Sequence, residues 1–175
     1  MLHRVIRLNL SIPKTIGLVC ACLLFTVPAF SSETDDDKKL ALPRFVSLKS
    51  DEINVRVGPG TRYPISWVFK KENYPVEIIQ EFDQWREIRD HEGAIGWVNK
   101  GMLQGKRMVL VTGDVRTMRR APEQNAAAIL RAEPGVMGQL IECQKDWCRV
   151  QIDSRKGWLP KAHIWGVYPK EEFED

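Results

Sequence analysis

The sequence predicts an all-β protein in which two small β-barrels follow one another along the chain. Three observations lead to this prediction: short runs of alternating apolar and polar residues, Gly and Pro between those runs, and an internal repeat. The chain has 175 residues, of which 43% are hydrophobic and 28% charged, so it is long enough for two such units. This composition excludes a wholly disordered or collagen-like chain.

The first 31 residues are typical of a secretory signal peptide. Arg4, Arg7 and Lys14 precede an apolar run, residues 16–29, and small residues follow it. That run is shorter than the roughly 20 residues that a transmembrane helix needs. We therefore predict cleavage after Ser31 and a periplasmic or secreted protein with no membrane span after cleavage; an uncleaved N-terminal anchor is the alternative.

The net charge of +3 equals the three basic residues of this leader, which contains no acid. The remaining chain is therefore neutral, which argues against a general nucleic-acid-binding protein because such proteins need a surplus of basic residues.

The four cysteines divide into two pairs with different expected roles. Cys20 and Cys22 lie inside the apolar run, which continues past Cys22 and so disfavours a lipoprotein signal. Cys143 and Cys148 remain as an even pair in an exported protein, which predicts a disulfide.

An internal repeat of about 60 residues organises the chain after the leader. The segment from Arg44 aligns without gaps on the segment from Arg107, and later Trp residues match in pairs. The predicted organisation is an acidic flexible linker (32–43), a first copy (44–105), a second copy (106–168) and an acidic tail (169–175). The matched tryptophans are Trp85 with Trp147 and Trp97 with Trp158, and we predict that they form the core or a half-buried scaffold.

The elements within a copy follow from alternation and turn residues. In the first copy, an alternating segment at 53–57 leads to the turn Gly58-Pro59-Gly60, for whose glycines we expect positive φ angles. Segments 76–80 and 85–89 predict a hairpin, and 96–98 the following strand. In the second copy, residues 126–132 have high helix propensity, but their alignment with 63–69 predicts a strand or irregular structure.

The stretch I-N-V-R-V-G-P-G-T-R-Y, the hairpin with its Trp and the closing G-W-V together resemble the bacterial SH3 domain family. The resemblance covers residues 44–104 and, more weakly, 107–168, where Ala121, Glu123 and Ala126 replace the two glycines and the tyrosine. It implies two tandem SH3-like small β-barrels with a binding role in an exported protein. The implied partner is cell-wall peptide (peptidoglycan) or another envelope protein.

The candidate ligand site lies on the first copy, between the loop 54–63 and the tip of the hairpin. Tyr63 and Phe82 would provide apolar contacts, and Arg56 and Arg62 would bind carboxylates of an extended peptide. The alternative interpretation of Asn54 and Arg56 is that they brace the loop.

A second patch is predicted on the second copy, where residues 107–168 include 10 basic and 6 acidic residues. Its members are Arg116, Arg119, Arg120 and Trp165, and they favour a different function, an adaptor for an envelope protein without affinity for the wall. Trp165 is alternatively a seal between the copies. The simpler interpretation of these charges is a solvated face beside disordered acidic ends.

Catalysis is not expected, because the mature chain has only two histidines, His91 and His163, and its two cysteines are predicted to be paired. It contains no HExxH or nucleophile-elbow motif. A hydrolase without a recognisable motif is therefore only the third hypothesis. No cofactor is expected. A zinc site would need two ligands besides the cysteines, and His163 is the one loose candidate, so no metal is expected either.

Overall fold

The computed structural model describes residues 40–174, and strands dominate both copies of the repeat. The predicted leader, with its two cysteines, and most of the linker lie outside the described residues. The first copy contains β1 (Arg44–Leu48), β2 (Ile53–Arg56), β3 (Ile65–Phe69), β4 (Pro75–Phe82), β5 (Trp85–Arg89), β6 (Ile95–Asn99), the 3₁₀ turn Lys100–Met102 and β7 (Leu103–Gln104). The second contains β8 (Met108–Val111), β9 (Arg116–Arg119), β10 (Ala128–Ala132), β11 (Met137–Gln144), β12 (Trp147–Ile152), β13 (Arg155–Pro160), the 3₁₀ turn Lys161–His163, β14 (Ile164–Trp165) and β15 (Phe173–Glu174).

The two copies have the same strand order, which confirms the predicted all-β tandem architecture. The first sheet runs β3-β2-β6-β5-β4-β1-β7, and the second runs β10-β9-β13-β12-β11-β8-β14, with antiparallel pairs throughout. Their registers also match, because Arg56 pairs with Trp97 in the first sheet and Arg119 with Trp158 in the second. The alanine-rich segment forms strand β10, so pairing with β9 outweighs its helix propensity.

Each sheet has its own apolar core, formed by inward-facing residues that alternate along its strands. In the first copy, β2 buries Ile53 and Val55, while the residues between and after them face outward or lie at the margin. Leu48, Ile53, Val55, Val76, Ile78, Ile88 and Val98 form the first core. Val109, Val111, Met118, Ala132, Leu140, Cys143, Cys148, Val150, Ile152, Leu159 and Ile164 form the second.

The same cross-strand position carries an ion pair in one copy and a disulfide in the other. Glu81 faces Arg86 across β4 and β5, with 3.0 Å between the carboxylate and the guanidinium. Cys143 faces Cys148 across β11 and β12, and their sulfurs are bonded, which confirms the predicted disulfide. Directly opposed strand residues lie close enough for either link.

The end of the chain differs from the expectation of a disordered acidic tail. Strand β15 pairs with β11, with Phe173 opposite Cys143, and Phe173 packs against the second core. Burial of apolar surface by Phe173 stabilises this end of the chain, although the composition of the segment is acidic. Within residues 40–174, no helix has the length and apolar character needed to cross a membrane.

Candidate functional site: a groove on the first copy

A groove of about 220 Å³ opens on the first copy beside strand β2. Strands β2 and β5, the loop after β2 and the 3₁₀ turn before β7 form its walls. Trp85, which is half-buried, and Met102, which is 43% exposed, provide the large apolar side chains of the lining. The lining residues are Glu52, Ile53, Asn54, Arg56, Thr61, Trp85, Asn99 and Met102.

The loop beside this groove is held in place by one arginine. Arg56 Nη1 donates a hydrogen bond of 2.7 Å to the backbone carbonyl of Tyr63, and Val57 N donates to Pro64 O at 3.1 Å. Arg56 therefore braces the loop and lines the groove at the same time. The second copy repeats this device, because Arg119 Nη1 donates to Ala126 O at 2.8 Å.

Gly58 of this loop is required for a different reason than the predicted one. Neither Gly58 nor Gly60 has a positive φ angle, so the expectation of left-handed backbone at these positions is wrong. Instead, a Cβ on Gly58 would lie 2.7 Å from Cδ1 of Tyr63, whose ring packs against the turn. In the second copy Ala126 replaces that tyrosine, which explains why Ala121 fits at the equivalent of Gly58.

The groove offers the polar groups that an extended peptide needs together with an apolar surface. Asn54 and Thr61 are exposed, and Asn99 uses its Oδ1 to accept a hydrogen bond from Gly101 N. The amide NH₂ of Asn99 therefore remains as a donor. Peptide backbone contacts made by such groups, with an aromatic floor for side chains, are a recurring mode of peptide recognition.

The profile of the bacterial SH3 domain family matches this chain twice, over residues 49–105 and 113–166. The chain belongs to the bacterial SH3 domain family. Both matches fall within the two repeats, so each repeat is one SH3 domain.

Similarity to whole proteins is more distant. The chain is 27% identical over 167 residues to the "Putative N-acetylmuramoyl-L-alanine amidase YrvJ" of Bacillus subtilis (strain 168). The match covers 86% of this chain and 30% of that relative, so the chain spans less than a third of the relative's length. Two solved structures, NlpC2 and NlpC1 from Trichomonas vaginalis, align at 10% and 9% identity, each with a TM-score of 0.34. These alignments cover 74% and 72% of this chain and 50% and 46% of the two solved chains.

The four predicted ligand residues occupy two different places on the first SH3 domain. Arg56 lines the groove, whereas Arg62, Tyr63 and Phe82 lie outside its lining. The Arg62 guanidinium stacks 5.1 Å from the centre of the Tyr63 ring, on the loop beside the groove. Phe82 is 59% exposed at the hairpin and pairs across it with Trp85, the residue that sequence reasoning assigned to the scaffold alone.

The predicted basic patch on the second SH3 domain is divided. Arg120 is exposed, while Arg116 and Arg119 donate hydrogen bonds to the backbone carbonyls of Thr112 and Ala126. Burial, and then the charge of Arg116, lower the pKa of His163.

Trp165, the fourth member of that patch, contacts the first SH3 domain. Its ring meets Phe45 edge-on at 5.0 Å and lies 6.4 Å from the ring of the exposed His91. Tyr168 extends this junction, with its ring 4.7 Å from Phe45 and its hydroxyl donating to Glu77 Oε1 at 2.8 Å. Burial, and then the bond to Glu77, raise the pKa of Tyr168.

Proposed function

We propose that this protein is exported and binds cell-wall peptide, without catalysing a reaction, through the groove of its first SH3 domain. The observation that carries the proposal is the groove itself, whose lining combines Trp85 and Met102 with the polar side chains of Asn54 and Asn99. The description of the Bacillus subtilis relative as a muramoyl-alanine amidase supports the cell wall as the source of the peptide. The disulfide supports an oxidising, extracytoplasmic location.

In this proposal an extended peptide lies along β2 and the loop that follows it. Arg56 is already engaged with the loop, so its contribution to the ligand is one further charge-assisted hydrogen bond. Arg62, Tyr63 and Phe82 flank the groove and contact residues of the peptide that extend beyond it.

The proposal is tested by pelleting mature protein (residues 32–175) with washed peptidoglycan sacculi. The double variant Asn54→Ala, Met102→Ala removes one polar and one apolar contact from exposed groove residues. Loss of a hydrogen bond and of a partly exposed methionine contact should weaken binding about tenfold.

The matched control carries Thr117→Ala and His163→Ala, the aligned positions of the second SH3 domain, and should pellet like the unmodified protein. Unmodified protein that remains in the supernatant would overturn wall binding. Equal losses in both double variants would overturn the assignment to the first domain, and release of soluble wall fragments would contradict a non-catalytic role.

The adaptor alternative has less support from the geometry. It requires Trp165 and the three arginines to form one exposed surface. Trp165 contacts Phe45 and His91, and two of the arginines are bonded to backbone carbonyls.

A further inference from the structure

A second cavity, of about 450 Å³, lies on the second SH3 domain, where no predicted site residue falls. It forms between the 3₁₀ turn before β14, the turn of the β11–β12 hairpin and the chain segment after β14. Its walls are largely apolar, with one buried lysine and one exposed aspartate. The lining residues are Asp146, Pro160, Lys161, Ala162, Ile164, Val167 and Pro169.

Lys161 is the unusual member of this lining, because it is 8% exposed. Its Nζ donates to the carbonyl of Glu171 at 2.6 Å and, over a longer distance of 3.4 Å, to that of Pro169. An ammonium group has three donors, and both of these acceptors are neutral. Among residues 40–174, no carboxylate forms an ion pair with it. Burial of a charge without a counter-ion is costly, so an anion in the cavity would be favourable.

The first SH3 domain does not bury the equivalent lysine. Lys100 occupies the same position of the repeat, and it is exposed. The difference comes from the segment after β14, which crosses over Lys161 in the second domain. One wall of the cavity is therefore formed by the segment after β14, which packs on Lys161 in the second domain.

The segment that closes this cavity is firmly attached. Arg107 Nη1 forms a 2.6 Å ion pair with Glu171, and Arg107 Nη2 donates to Gly166 O at 2.9 Å. Strand β15 then continues the sheet beyond the segment. The cavity walls are consequently formed before any ligand arrives, which reduces the ordering cost of binding.

We infer that this cavity binds the terminal carboxylate of a short peptide with small apolar side chains. The carboxylate pairs with Lys161, and the last side chains pack on Ile164, Val167 and Pro169. The cavity volume is in the range of small-ligand sites. This inference rests on the proposed function for one point, that the peptide comes from the cell wall.

The test uses N-acetyl-trialanine and its C-terminal amide, with binding followed through the NMR shifts of the Ile164 and Val167 methyl groups. The acid should bind to the unmodified protein, and the amide should bind at least fivefold more weakly, because it lacks the charge that pairs with Lys161. Equal binding of acid and amide, or no binding of either, would overturn the inference.

Two exposed lining positions allow charge changes that should not affect folding. Ala162→Glu should weaken binding of the acid about fivefold relative to the matched control Ala162→Gln, since the two side chains differ in charge and hardly in size. Asp146→Asn should strengthen binding, since it removes a negative charge from the rim. Identical affinities for the Glu and Gln variants would place the peptide elsewhere.

A further comparison identifies the source of the peptide and separates the two proposals. A peptide ending in D-alanine should bind more tightly than the all-L peptide if the cavity is adapted to the cell wall, and a preference for the L peptide would overturn that source. The groove variant Asn54→Ala, Met102→Ala should retain N-acetyl-trialanine binding. If the unmodified protein binds N-acetyl-trialanine but does not pellet with sacculi, the proposed function is wrong and the cavity assignment stands.

Discussion

Removal of one hydroxyl group, by Tyr168→Phe, should destabilise the junction between the two SH3 domains. The Tyr168 hydroxyl donates to Glu77 Oε1 at 2.8 Å, and the Glu77 side chain is 5% exposed. Tyr168 lies after β14, at the end of the second repeat, whereas Glu77 lies on β4 of the first. The bond therefore couples the two repeats directly.

The expected loss follows from the burial and the charge of the acceptor. Hydrogen bonds to charged groups contribute about 1.5–3 kcal/mol, and loss of a donor leaves the buried acceptor partly unsatisfied. Glu77 keeps two bonds from Arg89, at 2.9 and 2.6 Å, which places the loss toward the lower end of that range. We expect the free energy of unfolding to fall by about 2 kcal/mol, equivalent to a urea midpoint lower by about 1 M.

Urea unfolding of a double-mutant cycle with Tyr168→Phe and Glu77→Gln measures the coupling itself. The two substitutions should be non-additive by about 1 kcal/mol, since each removes part of the same bond. The matched control Tyr63→Phe also removes one hydroxyl group, but its hydrogen bond from Arg62 is exposed. This control should alter stability by less than about 0.5 kcal/mol. Additivity of the cycle within about 0.3 kcal/mol would refute the reasoning that this bond joins the domains.

Two further predictions concern the second SH3 domain. Reduction of the Cys143–Cys148 disulfide should lower the free energy of unfolding by about 2 kcal/mol, because the bond closes a short loop; unchanged urea midpoints for oxidised and reduced protein would contradict this. Because the pKa of His163 is lowered from 6.5 by burial and by Arg116, the unfolded chain binds a proton there more readily than the folded chain. Stability should therefore fall as pH decreases below about 6.5, and His163→Gln should reduce the difference between urea midpoints at about pH 7 and about pH 5. An unchanged difference in that variant would assign the pH dependence to other groups.

The internal repeat made much of the fold predictable. The ungapped alignment of the segment from Arg44 on the segment from Arg107 predicted two copies of one strand pattern, and both sheets have the same strand order. The same alignment correctly outweighed the helix propensity of the alanine-rich segment that forms β10. The repeat predicts this element better than helix propensity does, because both copies must form the same backbone pairing. Local propensity contributes only tenths of a kcal/mol per residue.

The packing of individual side chains was less predictable than the strands. Gly58 was assigned a backbone role, but its constraint is the ring of Tyr63. Trp85 recurs in the second copy as Trp147. Because a core residue would recur in the same way, the repeat did not indicate that Trp85 lines the groove. Nothing in the sequence indicated that Met102 lines the groove.

By itself, the sequence determined the strands, their repetition and the disulfide, because alternation, turn residues and an even pair of cysteines can be read along the chain. Tertiary structure alone decided that Trp165 contacts the first domain, that the groove gathers residues from β2, β5 and a 3₁₀ turn, and that Lys161 is buried while Lys100 is exposed. The physical reason is that burial and charge pairing depend on which segments cross a residue in space. In the second domain, that segment is the chain after β14, which has no counterpart in the repeat.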